Sequence, residues 1–138
     1  MRQAGKTQIL KLGELVPHPS NYRSHSSEQV ARLAESLNRY GQYRPVVVQA
    51  GTNRILAGHG VVQAAKQAGE ETIAATVVEC DDATALAILV EDNESTYGAE
   101  DDRTALAELL ADLGEARPPS FPDERVEDLL REVTMPRM

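Results

Sequence analysis

The sequence predicts an α+β fold: a small mixed sheet with helices, in the order β-α-β-β-α-β-α, continued by a C-terminal helical extension. Three observations carry this. Short runs rich in Val, Ile and Thr alternate with stretches of helical periodicity. Turns bearing Gly or Pro separate them. Beyond residue 99 only helical periodicity remains. The expected division is therefore a mixed domain over 1–98 and an acidic helical extension over 99–138.

Thr7–Leu12 reads as the first strand, with Ile9 and Leu12 as core candidates. Pro17–Arg23 is rich in Pro and Asn and cannot be helical. Ser26 with Gln29 three residues on is a capping-box signature. Val30, Leu33, Ala34, Leu37 and Tyr40 then mark one face of a helix that Gly41 stops. Pro45–Gln49 and Asn53–Leu56, joined by Ala50-Gly51-Thr52, form a hairpin. Gly58-His59-Gly60 turns directly into a helix over Val61–Ala68, and Thr72–Glu79 is the next strand. Asp82 is expected to cap a helix ending near Asp92-Asn93. Two amphipathic helices follow, one carrying Leu106, Leu109, Leu110 and Leu113, the other Val126, Leu129, Leu130 and Val133. The link Glu115–Ser120 between them reads as a hinge.

Charge is distributed unevenly. Residues 1–69 hold nine Lys/Arg against three acids, net +6, whereas residues 70–138 hold five Arg against nineteen acids, net −14. The first half suits anions, DNA or nucleotide; the second suits a basic protein partner, or shields the first. No segment approaches the roughly 20 apolar residues of a membrane span. The start Met1-Arg-Gln-Ala lacks a secretory apolar stretch. Hence no membrane partner and a cytoplasmic location are expected. The single Cys80 rules out an intramolecular disulfide framework.

The chemistry concentrates at few places. A glycine-bearing strand-to-helix turn lets a ligand approach the backbone, and free amides at a helix start favour phosphate, so Gly58, His59 and Gly60 are the first candidates. Such glycines also serve any tight turn. Arg23, Arg44 and Arg54 each suit phosphate or a nucleic-acid backbone. Asp92 and Asn93 offer oxygens for Mg²⁺ beside a phosphate. His18, His25 and His59 are too scattered in sequence for a zinc site. Cys80, beside Glu79, Asp81 and Asp82, is expected to be an unreactive thiol.

The succession Leu15-Val-Pro17, Asn21-Tyr-Arg23, Leu33-Ala-Glu-Ser-Leu37, Gly41-Gln-Tyr-Arg-Pro-Val46, Ile55-Leu-Ala-Gly-His-Gly60 and Val90-Glu-Asp-Asn93 resembles the ParB N-terminal domain over residues 8–95. It looks closest to stand-alone phage and prophage versions and to those associated with DNA methyltransferases. The resemblance implies a ParB/sulfiredoxin-like fold with a nucleotide pocket, which takes CTP with Mg²⁺ in partition ParB and ATP in sulfiredoxin. It implies nucleotide contacts from Arg23, Gly41, Gln42, Arg44, Arg54, Gly58, His59 and Gly60, and a metal site at Asp92 and Asn93. A homodimer and DNA are the partners it implies.

Two departures stand out. Partition ParB has consecutive arginines where this chain has Gly60 and Val61, so the triphosphate motif is degenerate. Each lost charged hydrogen bond is worth about 1.5–3 kcal/mol. The turn cysteine of sulfiredoxin is replaced by His59, which removes that activity. Three functions are thus in competition: a phage or prophage accessory protein binding DNA or nucleotide; a Mg²⁺-dependent hydrolase, phosphotransferase or nuclease; and an acidic module that captures a basic protein.

Overall fold

A computed structural model describes residues 1–95 and 101–135. The chain divides into two compact units, Met1–Gly98 and Ala99–Met138; residues 98 and 99, where the boundary was expected, lie outside the described ones. Among the described residues no helix is long and apolar enough to cross a membrane.

The first unit is a five-stranded mixed sheet with three helices. Its elements are β1 (Gly5–Lys11), a 3-10 turn (Leu12–Glu14), β2 (Val16–Pro17), α1 (Ser27–Tyr40), β3 (Val46–Gln49), β4 (Arg54–Ala57), α2 (His59–Gln67), β5 (Thr72–Val78) and α3 (Asp82–Ser95). The strand order is β1-β5-β3-β4-β2. β1 runs antiparallel to β5, β5 parallel to β3, β3 antiparallel to β4, and β4 parallel to β2. One strand was not expected. β2 is two residues long and contains Pro17, so it has neither the length nor the alternation that marks a strand in sequence. It pairs Val16 with Arg54 and Pro17 with Ile55 at the sheet edge, where proline is tolerated.

Leu12, Leu15, Val46, Val48, Ile55, Val62, Ala65, Ile73 and Ala75 form one buried cluster, uniting β3, β4 and β5 with α2 and the 3-10 turn. Ile55 belongs to it, and Leu56, next along, points to the opposite sheet face because side chains alternate. Leu56 is fully buried there, as is Leu89 of α3, the helix that packs on β4. The core is aliphatic throughout, as a chain without Trp and with one Phe requires. Ile9, expected in the core, is 69% exposed. Leu12 is buried as expected, and in β1 it is Leu10 that turns inward, because a strand offers only every second residue to one face.

Local chemistry sets the ends. Ser26 Oγ accepts from the Gln29 amide at 3.1 Å, and Gly41 closes α1 at φ +76°. α3 is capped one residue earlier than expected: Asp81 Oδ1 accepts from the Thr84 amide at 2.7 Å, and Asp82 is already helical. The β3–β4 turn spans four residues rather than three, because Asn53 adopts a left-handed φ of +55°, which Asn tolerates. Buried Gln49 donates to Cys80 O and to Asp82 Oδ1, both at 3.0 Å, and accepts from the Thr52 hydroxyl at 2.8 Å. This satisfied amide ties the end of β3 to the start of α3.

The second unit consists of α4 (Arg103–Leu113), a 3-10 turn (Gly114–Ala116) and α5 (Asp123–Thr134). α4 and α5 pack on each other, with Leu110 and Leu129 buried. The link that reads as a hinge is tied down: Arg117 donates to Phe121 O at 2.8 Å and pairs with Asp123.

Gly58 joins β4 to α2 at φ +96°, and a Cβ there would lie 2.6 Å from Val46 Cγ1. Gly51, at φ +85°, has nothing within 4 Å. Gly51→Ala should therefore cost only the left-handed backbone penalty, about 1–2 kcal/mol. Gly58→Ala should add an overpacking penalty and reach about 2–4 kcal/mol. Urea denaturation of the two variants checks this; equal losses would mean that the Val46 contact carries no weight.

Candidate functional site

One cavity of about 340 Å³ opens beside the start of α2. Its walls bring together three separated stretches: Gly41–Val47 after α1, Ala57, Gly58 and Val61 at the β4–α2 junction, and Asp92 on α3. Leu33 and Leu37 of α1, with Val46 and Val61, give an apolar interior; Arg44 and Asp92 supply opposite charges at its margins. The volume falls at the lower end of the roughly 300–1,000 Å³ range of small-molecule sites. Tyr43, 75% exposed, stands among the lining residues.

The expected site residues separate into groups. Gly41, Gln42, Arg44, Gly58 and Asp92 line the cavity; Arg23, Arg54, His59, Gly60 and Asn93 do not. The Gln42 side chain has a structural task. It donates to Ala74 O at 2.9 Å and accepts from Ala74 N at 2.8 Å, continuing the ladder along the edge of β5 where β3 has not yet begun. A second donated bond, to Arg44 O at 3.0 Å, pins the loop that forms the wall. Arg54 lies 3.9 Å from Asp82, at the start of α3. Asp92 lies ten positions beyond Asp82 in α3, about 15 Å along the axis.

Arg23 and Asn93 meet each other instead. The Arg23 guanidinium donates to Asn93 O, and the Tyr22 hydroxyl donates to Glu94 Oε1 at 2.7 Å. Asn93 is buried. The loop between β2 and α1 thus straps the C-terminal end of α3 and fixes the turn that carries Asp92.

The same strap reaches α2. His18 N donates to His59 Nε2 at 3.1 Å, and Ser20 N donates to His18 Nδ1 at 3.0 Å. The ring of His25 covers Gly60, where a Cβ would lie 3.1 Å from three of its atoms. Three histidines distant in sequence therefore gather around the first turn of α2. Only the tertiary fold reveals this, because they come from a loop and a helix with no common spacing. Among the described residues no group of three His, Cys, Asp or Glu side chains is arranged to hold a metal ion. The helix begins at His59, two residues earlier than expected, so His59 and Gly60 are its first turn.

Electrostatics follow from this packing. Burial lowers the His59 pKa to about 4, reinforced by His18 and His25. The ring is neutral near pH 7, and its Nε2 serves as an acceptor. Burial, then Asp81 and Asp82, raise the Cys80 thiol above its usual value, in keeping with an unreactive cysteine. For Mg²⁺ the cavity supplies one carboxylate, Asp92. That fits an ion whose other ligands are phosphate oxygens and water. Asn93 is turned away from the cavity toward the strap.

A ParB N-terminal domain model matches residues 1–94. The ParB-like nuclease domain-containing protein YnaK of Escherichia coli (strain K12) is 40% identical over 67 residues, which cover 49% of this chain and 76% of that protein. Among solved structures, the C-terminally truncated partition protein ParB of Caulobacter crescentus complexed with CTP-gamma-S matches with a TM-score of 0.79 at 22% identity, over 96% of this chain and 81% of that one. The same protein complexed to the centromeric parS site gives 0.54 at 20% identity, over 94% and 73% of the two chains. Sulfiredoxin from Arabidopsis thaliana gives 0.53 at 22% identity, over 61% and 97%. At these identities the structural matches show a shared ParB/sulfiredoxin-like fold.

The depressed His59 pKa gives a pH dependence of defined sign. The folded ring binds its proton near pH 4, the unfolded one near pH 6.5. The stability held by neutral His59 is complete above about pH 6.5 and is lost as pH falls toward 4. After allowance for solvent around a half-buried ring, the loss is about 1–2 kcal/mol. Urea denaturation at pH 7 and pH 5 should show it, and His59→Gln should remove that component. ¹⁵N NMR should find the Nδ1-protonated neutral ring at pH 6; a ring titrating near 6.5 contradicts the geometry.

Proposed function

The chain belongs to the ParB N-terminal domain family, and from that membership we propose that it binds a nucleoside triphosphate, CTP or ATP, in the cavity beside α2. The observation that carries this reading is the convergence of Gly41–Val47, Gly58 and Asp92 on one cavity of about 340 Å³. The apolar walls suit a base and ribose, and Arg44 suits a phosphate. Asp92 would be the one protein carboxylate on a Mg²⁺ held chiefly by the nucleotide. The tight Gly58 junction brings the start of α2, where backbone amides favour phosphate, to the cavity wall.

Val61 sets the strength of binding. It lines the cavity at a position where partition ParB has an arginine. An apolar side chain there gives a phosphate no hydrogen bond, so affinity is modest and turnover is not the main task. DNA is the second partner in this reading, contacted through the basic 1–69 half. This is supported by ParB having been solved in complex with parS. We read the protein as a phage- or prophage-type accessory protein of the cytoplasm, able to pair as a homodimer, with residues 99–138 as an acidic extension that shields the basic half or meets a basic protein. A Mg²⁺-dependent hydrolase, phosphotransferase or nuclease is the competing reading, favoured by the position of Asp92 in the cavity. It requires metal-dependent turnover that Asp92→Ala abolishes.

A thermal-shift panel of CTP, ATP and GTP, each with and without Mg²⁺, tests the proposal on the intact chain. A ligand at a hundredfold excess over its Kd stabilises by about 2.7 kcal/mol. One triphosphate should raise the Tm in the presence of Mg²⁺, and Asp92→Ala should remove the Mg²⁺ contribution. Val61→Arg should tighten that nucleotide about ten- to a hundredfold by calorimetry. Absence of any shift in both wild type and Val61→Arg would overturn the assignment of the cavity.

A further inference from the structure

The outer edge of the sheet is formed by β1, none of whose residues line the cavity. β1 is the terminal strand in the order β1-β5-β3-β4-β2, paired along all seven of its residues with β5. The phase of that pairing decides which backbone groups remain open. Leu12 N donates to Glu71 O at 3.0 Å. In an antiparallel ladder the residues bonded to the neighbour alternate along the strand. Lys6, Gln8 and Leu10, in phase with Leu12, therefore direct both N–H and C=O to β5. Gly5, Thr7, Ile9 and Lys11 direct theirs to the free side. The 3.4 Å approach of the Thr7 and Thr76 hydroxyls agrees, since side chains come closest at pairs that are not hydrogen-bonded to each other.

The outward-bonding residues Thr7, Ile9 and Lys11 share one sheet face. On it Ile9 is 69% exposed, and Thr7 and Lys11 are exposed beside it. Among the described residues no strand pairs with this edge, and an open edge with an exposed β-branched side chain is a template for strand addition. Charge selects the occupant. Residues 1–11 carry Arg2, Lys6 and Lys11 and no acid, and neither lysine is in an ion pair among the described residues. Two copies of this strand would bring lysines to one edge with no acid among them, which disfavours self-pairing. We propose that β1 receives an extended acidic segment of a partner protein by strand addition, with backbone bonds at Thr7 and Ile9 and carboxylates opposite Lys6 and Lys11.

The probe is a capped seven-residue Val/Thr peptide with glutamates at its second and seventh positions, five apart as Lys6 and Lys11 are and therefore on the two sheet faces, titrated onto the full chain by NMR. The expected result is at least tenfold slower amide exchange at Thr7 and Ile9, with Gln8 and Leu10, already in the ladder, unchanged. The lysine counterpart should not bind. Ile9→Pro should weaken binding at least tenfold while slow exchange at Gln8 and Leu10 persists, because the Ile9 N–H takes no part in the β1–β5 ladder. A peptide N-methylated on the edge facing β1 provides the same test on the unaltered protein and should not bind. No protection at Thr7 and Ile9 with millimolar peptide overturns the proposal. So does equal binding of the lysine peptide, and so does concentration-dependent protection of these amides without peptide, which would mean that a second copy fills the edge.

Discussion

The contact between Gly58 and Val46 constrains everything around it. β4 ends and α2 begins with a single residue between them, at a φ of +96°. The reversal puts the backbone of position 58 against the side chain of β3, closer than any Cβ permits. Because the turn is this tight, the first turn of α2 stands directly over the ends of β3 and β4, and His59 is helical from its first atom. The cavity is the space left between that junction, the segment after α1 and the end of α3. A longer connection would move α2 away and open the cavity to the side.

α3 is held at both ends by different means. At its start, the Gln49 amide bridges Asp82 and Cys80, with Arg54 beside Asp82. At its end, Tyr22 and Arg23 of the strap bond Glu94 and the Asn93 carbonyl. The strap is in turn bonded to α2 through His18 and His59. One loop thus couples the helix carrying Asp92 to the helix that begins at the Gly58 turn. Polar side chains that look like ligand donors in a linear sequence act here as fasteners between elements. Gln42 is the clearest instance, its amide spent on the backbone of Ala74.

The legible and illegible parts of the site divide on physical lines. Gly41, Gly58 and Asp92 could be singled out because a helix stop, a strand-to-helix turn and a helix end have local signatures. Their convergence followed only from the order of elements in a recognised fold. Arg54 and Asn93 looked equally suitable as bare residue types. Arg54 stands about 15 Å along α3 from Asp92, and the buried Asn93 faces the strap. Nothing local encodes which side of a helix or which end of a strand a side chain occupies. The three histidines show the converse: scattered in sequence, they meet around α2 because the strap folds back on it.

Hydrophobic periodicity, capping residues and turn glycines are short-range properties, and from them the sequence alone determined the helices, four of the five strands, the aliphatic core and the mixed α+β class. Tertiary structure alone decided the two-residue β2, the inward turn of Leu10 rather than Ile9, and the depression of the His59 pKa. It also decided which edge of β1 stays open. Each of these depends on strand register or on contacts between residues some 40 or more positions apart. Such contacts exist only once the whole chain has closed around them, and no window of neighbouring residues contains them.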